Sequence, residues 1–417
     1  MGKLVIQGQT KLQGEITISG SKNSSVAILP AALMADSKVT INNLPDIRDI
    51  SVILDILDYL GAKIERHNHN SLTIYPEYIH RWEAPSEMIN QLRASYYLLG
   101  ALLTKFGKTA ISLPGGCMIG ARPIDQHIKG LTALGAKVKN KTDLIEINAH
   151  ELKGCKIYLD IASVGATINI MLASVKAEGK TIIENAAREP EIVDVANFLN
   201  SMGANIKGAG GSTIKISGVK KLGNTEHTVI PDRIEACTFI LAAVSTNGHV
   251  IVKNVIPEHF SAVTAKTEEI GADLKIMDDS VEVRGCSEPL PTNIKTLPHP
   301  GYPTDLQALI APVLTKTKGV STITENIFEK RFSYAKEMQS MGANIKLNGK
   351  SATIKGGCGL TGTSVKAADL RGGTALVIAA LTAKGSSEVH NTKHIDRGYE
   401  NLEGKLNSLG AKVKKFN

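Results

Sequence analysis

The sequence predicts an α/β fold with two similar domains, each made of three pseudo-symmetric βαβαββ repeats. The first observation behind this prediction is a pentapeptide that consists of an apolar residue, Gly-Ala, one variable residue and a second apolar residue. It occurs six times, and its glycines at positions 61, 135, 203, 271, 342 and 410 lie 68 to 74 residues apart. Such a regular period is typical of a repeated structural unit. The six copies begin at Leu60, Leu134, Met202, Ile270, Met341 and Leu409.

The surroundings of each copy give the second observation. An apolar pattern at helical spacing precedes every Gly-Ala, and the glycine ends that helix because it adopts a positive φ at little cost. Another helical pattern lies further upstream, and short alternating stretches such as 136–139 and 144–147 are typical of half-buried strands. The earlier helices are predicted at 24–35, 94–104, 167–175, 236–244, 306–315 and 374–383, and the later ones at 50–60, 128–134, 192–202, 262–270, 334–341 and 399–409.

The two ends of the chain give the third observation. Up to three strands separate successive repeats, but only one strand, 411–415, follows Gly410. The missing strands are expected at 4–7 and 15–19, as an N-terminal hairpin that completes the last repeat. The predicted domains are therefore residues 21–230, with a mobile loop around Cys117, and residues 1–20 together with 231–417.

Composition narrows the class of protein. Hydrophobic residues make up 42% and charged residues 21% of the chain, which suits a soluble globular enzyme. No apolar run reaches the length of a membrane span and no signal peptide is visible, so a cytoplasmic protein without membrane contact is expected. Five widely spaced cysteines favour a reducing compartment, and no Cys-x-x-Cys or His-Glu-x-x-His motif predicts a metal. Neither a metal nor a cofactor is expected.

The formal net charge of +8 leaves two interpretations open, a basic surface in water or a pocket for small anionic substrates. Nucleic-acid binding is not favoured, because Lys and Arg are scattered and aromatic residues make up only 4%. Helix N-termini attract anions, so arginines at helix starts need a negative partner. That partner is either a ligand or a neighbouring Asp or Glu. The arginines in question are Arg48, Arg93, Arg122, Arg188, Arg233, Arg331, Arg371 and Arg397.

The loop 114–125 carries the strongest local signal. It places three glycines and two prolines around Cys117, which favours an exposed loop rather than a core position. Arg122 and His127 lie close in sequence and are expected to lower the pKa of this thiol, so that Cys117 serves as a nucleophile or an acid. The other cysteines, Cys155, Cys237, Cys286 and Cys358, are expected to be small buried hydrophobic residues.

These motifs together resemble the UDP-N-acetylglucosamine 1-carboxyvinyltransferase family of the MurA type, from one end of the chain to the other. The resemblance implies transfer of the enolpyruvyl group from phosphoenolpyruvate to the 3′-hydroxyl of UDP-N-acetylglucosamine, the first committed step of peptidoglycan synthesis. It also implies an inside-out α/β barrel fold of the enolpyruvyl transferase type, with the active site in the interdomain cleft. The matching segments are 22–23, 114–125, 163–167, 185–194, 231–235, 303–305 and 394–400.

The resemblance implies roles for particular residues. Lys22, Arg122 and Arg397 bind the phosphate and carboxylate of phosphoenolpyruvate, with Asn23 beside them. Asp305 takes or orients the proton of the sugar hydroxyl. Cys117 delivers a proton to the methylene carbon, forms an adduct with phosphoenolpyruvate and is alkylated by fosfomycin. The residues expected to contact the substrates also include Arg93, Pro123, Ile124, Asp125, Gln126, Ser163, Val164, Gly165, Ile327 and Arg371.

Some positions depart from the common family pattern. Ile161 and Ala162 stand where many members have a lysine near the nucleotide, Tyr97 stands where Trp is frequent, and Gly372-Gly373 follows Arg371. These differences suggest a second paralogue of a Gram-positive bacterium. Two alternatives stay open, the shikimate 3-phosphate enolpyruvyl transferase, which lacks a Gly-Gly-Cys loop, and a non-enzymatic repeat protein whose loops bind a partner. A monomer is favoured.

Overall fold

The computed structural model describes residues 2–112, 123–140 and 144–416. Over these residues the chain forms two compact units. One unit contains residues 20–230 apart from the two undescribed segments, and the other contains residues 2–19 and 231–416. Each unit has its own hydrophobic core.

Helices alternate with strands in the order that the repeat predicts. The earlier helix of each repeat is α1, α4, α6, α8, α10 or α12, and the later helix is α2, α5, α7, α9, α11 or α13. A short additional helix, α3, precedes α4. The helices are α1 Lys22–Ala32, α2 Arg48–Leu60, α3 Ser86–Ile89, α4 Tyr97–Phe106, α5 Asp125–Ala133, α6 Val164–Ser174, α7 Pro190–Ser201, α8 Arg233–Ser245, α9 Ser261–Glu269, α10 Gln307–Leu314, α11 Tyr334–Ser340, α12 Leu370–Thr382 and α13 Leu402–Ser408.

The strands are short, as expected for half-buried sheets. They are β1 Lys3–Gln7, β2 Gln13–Thr17, β3 Val39–Asn42, β4 Lys63–Asn68, β5 Ser71–Tyr75, β6 Lys108–Ser112, β7 Lys137–Asn140, β8 Leu144–Asn148, β9 Lys156–Tyr158, β10 Lys180–Glu184, β11 Asn205–Lys207, β12 Thr213–Ser217, β13 Thr225–Thr228, β14 His249–Lys253, β15 Asp273–Ile276, β16 Ser280–Arg284, β17 Ile294–Lys295, β18 Val320–Thr324, β19 Asn344–Asn348, β20 Ser351–Lys355, β21 Ser364–Lys366, β22 Ser386–His390 and β23 Lys412–Phe416.

Five of the six sheets have the same four-stranded order. The strand after the earlier helix pairs with the nearer strand of an antiparallel pair and, on its other side, parallel with a fourth strand, as in the order β11-β12-β10-β9. In the sheet β6-β8-β7 a single parallel bridge between Glu83 and Ala110 stands in place of the fourth strand. This common order confirms the predicted α/β repeat.

The predicted N-terminal hairpin is wrong. β1 lies between β22 and β23 and completes the sheet of the last repeat, but β2 pairs in parallel with β14 in the sheet of the fourth repeat. The reason is that the parallel strands are exchanged where the chain passes from one unit to the other. β2 comes directly before α1 but pairs with β14 of the fourth repeat, and β13 comes directly before α8 but pairs with β3 of the first repeat.

The earlier helices are buried on nearly all sides, and every residue of α8 except Arg233 is buried. A helix that is apolar all round belongs in the middle of a core. The six predicted Gly-Ala positions end the later helices as expected, because Gly61, Gly135, Gly203, Gly271, Gly342 and Gly410 all have φ between 88° and 104°.

Candidate active site

Polar side chains cap the starts of four earlier helices. Ser21 accepts a hydrogen bond from the backbone N–H of Ser24 at 3.2 Å, and Ser163 accepts one from Ala166 at 3.3 Å. Asp232 and Asp369 each accept two backbone N–H groups in the same way, at 2.8 to 3.0 Å. The side-chain oxygens therefore satisfy N–H groups that the helix itself leaves unpaired.

The start of α1 places Lys22 and Asn23 side by side with acidic partners. The Nζ atom of Lys22 lies 3.0 Å from Oδ2 of Asp49, whose side chain is buried on α2. Asn23 donates a hydrogen bond of 3.4 Å to Oε1 of Glu191, on α7. Both residues predicted to bind phosphoenolpyruvate are thus oriented by carboxylates, which suits a site that holds a cation ready for an anion.

His127 joins three of the predicted nucleotide-binding segments in the 20–230 unit. Its Nδ1 atom lies 3.0 Å from the side-chain nitrogen of Asn169, and Tyr96 lies beside its ring at a centroid distance of 6.1 Å. The guanidinium of Arg93 in turn lies 5.6 Å from the Tyr96 ring centre. A Cβ atom on Gly165 would come within 2.9 Å of the imidazole, so this position requires glycine. Arg93, α5 and the start of α6 are therefore held around one buried ring.

Gln126 fixes the segment before α6. Its side-chain nitrogen donates to Asp160 at 3.0 Å, and its oxygen accepts from the Asp160 backbone N–H at 2.9 Å. Lys129 binds the same carboxylate at 2.7 Å. Gln126 therefore holds the entry to Ser163 rather than standing free. Around it, Pro123 and Asp125 are exposed and Ile124 is buried, while Ser163, Val164 and Gly165 are half-buried.

Burial, with a smaller contribution from the nearby Arg93, lowers the pKa of His127 to about 4, while Asp125 opposes the shift. The folded protein therefore holds this histidine neutral, while the unfolded chain takes up a proton at about pH 6.5. Stability from this group is present above pH 6.5 and is lost as the pH falls towards 4.

We expect wild type to lose about 2.5 kcal/mol of unfolding free energy between pH 7.5 and 4.5 because of His127 alone. A His127→Gln variant, which cannot be protonated, should lose less by that amount. Urea unfolding at both pH values measures the difference. His69→Gln, at an exposed histidine, should behave as wild type does. Equal losses for wild type and His127→Gln would contradict the assignment.

In the other unit, Asp305 lies on a 3₁₀ turn, Thr304–Leu306, just before α10. Its Oδ1 atom accepts a hydrogen bond of 2.5 Å from Arg331, and its Oδ2 atom accepts one of 3.1 Å from Arg371. The side chains of the two arginines are only 6% and 5% exposed, against 26% for the aspartate. Asp305 is thus a partly accessible carboxylate whose orientation is fixed by two nearly buried guanidinium groups.

Arg371 extends this arrangement into the core. It donates a hydrogen bond of 3.0 Å to the Tyr399 hydroxyl, which lies 2.8 Å from the hydroxyl of Thr238 on α8. Burial on its own lowers the pKa of Arg371, but Tyr399 and Asp305 together raise it above its ordinary value. Arg371 therefore stays charged and acts through Asp305. The expectation that it contacts substrate directly is not favoured by this burial.

Glu325, which the sequence analysis missed, organises the segment that contains Ile327. The carboxylate is buried and accepts the backbone N–H of Ile327 at 2.8 Å and of Phe328 at 3.1 Å. It also accepts the hydroxyl of Thr304, next to Asp305, at 2.9 Å. Ile327 itself is exposed, as a ligand contact would require.

Arg397 lies in the turn after the 3₁₀ helix Thr392–His394 and is half-buried. It is close enough to influence His394, because burial, Lys393 and Arg397 lower the pKa of that histidine while Asp369 raises it. The cap of α12 and the predicted phosphoenolpyruvate ligand Arg397 are therefore neighbours of the same imidazole.

Cys117 and Arg122 lie outside the described residues. The expected lowering of the Cys117 pKa by Arg122 and His127 therefore stays a prediction, although the pKa of His127 itself is lowered to about 4. Of the other cysteines, only Cys237 is fully buried, while Cys155, Cys286 and Cys358 are partly exposed. Burial raises the pKa of Cys155, Cys237 and Cys286, which makes these thiols poor nucleophiles.

Among the residues that the structure describes, no helix combines the length and the apolar character that a bilayer crossing needs. Most of the side chains described so far lie in the first turn of a helix or in the loop next to it.

Comparisons with known proteins extend over nearly the whole chain. The EPSP synthase (3-phosphoshikimate 1-carboxyvinyltransferase) family profile matches residues 6–406. The chain is 53% identical to UDP-N-acetylglucosamine 1-carboxyvinyltransferase 3 of Caldanaerobacter subterraneus subsp. tengcongensis, over 99% of each protein. It is 50% identical to UDP-N-acetylglucosamine 1-carboxyvinyltransferase 2 of Bacillus subtilis, over 99% of this chain and 96% of the relative. The enolpyruvyl transferase NikO from Streptomyces tendae superposes with a TM-score of 0.90 at 25% identity, over 99% of this chain and 98% of that one.

Proposed function

Because this chain belongs to the family of UDP-N-acetylglucosamine 1-carboxyvinyltransferases, we propose that it transfers the enolpyruvyl group of phosphoenolpyruvate to the 3′-hydroxyl of UDP-N-acetylglucosamine and releases phosphate. This reaction is the first committed step of peptidoglycan synthesis. The observation that carries the proposal is a sequence identity of 53% and 50% with two relatives of that name, over 99% of this chain in each case. The likeness to NikO confirms the predicted enolpyruvyl transferase fold.

The proposed chemistry is addition followed by elimination. The sugar oxygen bonds to the central carbon of phosphoenolpyruvate while the methylene carbon gains a proton. The bond between that central carbon and the phosphate oxygen then breaks, and the methyl group returns one proton as the double bond re-forms. The products are the enolpyruvyl ether and inorganic phosphate, with no change of oxidation state. The protein has to bind two anions, accept a proton from a hydroxyl and supply one to carbon.

Asp305 is the proposed acceptor of the sugar hydroxyl proton. A carboxylate accepts hydrogen bonds through both oxygens, and Arg331 and Arg371 leave part of the group accessible while fixing its direction. Such fixed geometry is what proton transfer requires, since a donor and its acceptor must approach within hydrogen-bond distance. Cys117 is the proposed acid that protonates the methylene carbon.

Lys22, Arg122 and Arg397 are the proposed ligands of phosphoenolpyruvate, with Asn23 beside them. The salt bridge between Lys22 and Asp49 supports this role for Lys22, because the ammonium is already positioned before an anion arrives. Several charge-assisted hydrogen bonds to one small ligand bind more strongly and more specifically than neutral ones.

The proposed contacts to UDP-N-acetylglucosamine are Arg93, residues 122–126, Ser163 to Gly165 and Ile327. Their support is the network around His127 and Gln126 in one unit and the backbone ordering of Ile327 by Glu325 in the other. We propose that Arg371 serves the same reaction indirectly, by holding Asp305. We also propose a cytoplasmic monomer that needs no metal.

An isotope experiment tests the proposal. Phosphoenolpyruvate carrying heavy oxygen at the bridging position should release that oxygen in inorganic phosphate, because the carbon–oxygen bond breaks. A phosphoryl transfer would break the phosphorus–oxygen bond and leave the label on carbon. Release should require UDP-N-acetylglucosamine, should not occur with shikimate 3-phosphate, and should survive chelators. Label retained on carbon, or a requirement for shikimate 3-phosphate, would overturn the assignment.

A further inference from the structure

The fifth repeat contains one residue more than its counterparts at the end of a central strand. In four repeats an asparagine with positive φ directly follows the last residue of this strand, and its side chain donates to the backbone carbonyl just after the parallel strand. In the fifth repeat the asparagine that makes this bond, Asn326 to the Thr296 carbonyl at 3.1 Å, comes one position later. The four regular residues are Asn43, Asn185, Asn254 and Asn391.

The additional residue is Glu325. Glu325 is 1% exposed, and burying a carboxylate is strongly unfavourable unless hydrogen bonds replace the lost water. Four donors do so, namely the hydroxyls of Thr296 and Thr304 at 2.9 Å each and the backbone N–H groups of Ile327 and Phe328 at 2.8 and 3.1 Å. In the four repeats that carry Asn43, Asn185, Asn254 and Asn391, the asparagine follows the strand directly, without an inserted residue.

This turn differs from the others in the residues that lie next to its hydrogen-bond donors. Thr304 precedes Asp305 on the 3₁₀ turn before α10. Ile327 and Phe328 begin the segment that ends in Arg331, and Arg331 binds Asp305. One carboxylate therefore ties together the turn that carries Asp305 and the segment that carries a partner of Asp305. A departure from a repeated local pattern is expected where function constrains the chain.

We propose that Glu325 is a positioning residue that acts through the Thr304 hydroxyl to hold Asp305 in the direction needed for proton transfer. This inference rests on the proposed function. A hydrogen bond from a hydroxyl to a buried carboxylate is strong, and a small displacement of a reacting group lowers the rate of the chemical step more than it weakens binding. Glu325 thus restricts the orientation of Asp305 more than the repeated turn alone would.

The test replaces Thr304 with valine, which has the same shape but no hydroxyl, and with serine, which keeps the hydroxyl. We expect Thr304→Val to lower kcat by about ten- to a hundred-fold, with KM for UDP-N-acetylglucosamine within about two-fold of wild type. Thr304→Ser should restore most of the rate. Glu325→Gln should lower kcat in the same way.

A matched control exists in the same unit. Thr292 donates a hydrogen bond of 2.8 Å to the carboxylate of Glu269, away from Asp305, so Thr292→Val removes an equivalent bond. It should leave kcat unchanged. Melting temperatures show that each variant is folded at the assay temperature. If Thr304→Val is unfolded there, Glu325→Gln gives the same comparison.

The outcomes separate the two proposals. An inactive wild type would overturn the proposed function itself. An active wild type, together with a Thr304→Val variant as fast as Thr292→Val, would overturn the role of Glu325 alone. So would a rise in KM at unchanged kcat, or a failure of Thr304→Ser to recover.

Discussion

Replacing Cys117 with alanine is expected to abolish turnover, and replacing it with aspartate is expected to preserve appreciable turnover. The reason is that the proposed role is donation of a proton to carbon, which a carboxylic acid can perform and a methyl group cannot. Fosfomycin should inactivate wild type, faster with UDP-N-acetylglucosamine bound, but not the aspartate variant, because a carboxylate is a poor nucleophile towards the epoxide. Phosphate release and mass spectrometry of the treated protein measure both effects.

The remaining cysteines serve as internal controls. Burial raises the pKa of Cys155 and Cys286, and Cys237 is fully buried, so labelling near neutral pH should be slow at these three positions. Cys358 is partly exposed and is the most informative comparison. Equal labelling of Cys358 and Cys117, or full turnover by Cys117→Ala, would remove Cys117 from the mechanism.

Replacing Asp305 with alanine should abolish phosphate release and also destabilise its unit. The loss of this carboxylate leaves Arg331 and Arg371, both nearly buried, without their shared counter-charge. Breaking such a pair costs about 3–5 kcal/mol. Asp305→Asn keeps the shape and the acceptor oxygen, so it should lose turnover with a smaller loss of stability. Phosphate release, urea unfolding and calorimetric binding of UDP-N-acetylglucosamine distinguish the two effects.

Glu288→Ala is the matched control for Asp305, because Glu288 is an exposed carboxylate of the same unit that pairs with Lys318 at 2.6 Å. It should change neither rate nor stability measurably. Should Asp305→Asn retain wild-type turnover, Asp305 would not be the proton acceptor. Should Asp305→Ala be as stable as wild type, its pairing with the two arginines would not stabilise the fold.

The period of the fold was predictable because each later helix ends at a glycine that needs a positive φ, a requirement visible in sequence. Strand partners were not, because pairing depends on residues far apart in the chain. β1 and β2 look like a hairpin locally, but they join different sheets with partners near positions 250, 388 and 414. Both strands pair with strands from residues 231–416, but β2 lies in a different sheet from the predicted one.

In the candidate site, too, the need for a partner could be predicted from the sequence, but the identity of the partner could not. Arg331 and Arg371 were predicted to need an anion, and within the chain that anion is Asp305. Which residue would pair with them was not readable, since the three come from separate loops. Glu325 was missed because a one-residue insertion is visible only when the repeats are aligned on their structure. The burial of His127, which lowers its pKa, has no local sequence signal.

The pairing of β1 and β2 with strands far along the chain also sets the order in which the two units can fold during synthesis. Residues 3–17 leave the ribosome well before their partners in β14, β22 and β23. The continuous 20–230 unit can fold in the meantime, while the first strands wait unpaired. Lys3 lies opposite Phe416 in the finished sheet, so a short linker could join these two residues. A circular permutant opened between Ile230 and Pro231 would then make each unit continuous and shorten that wait.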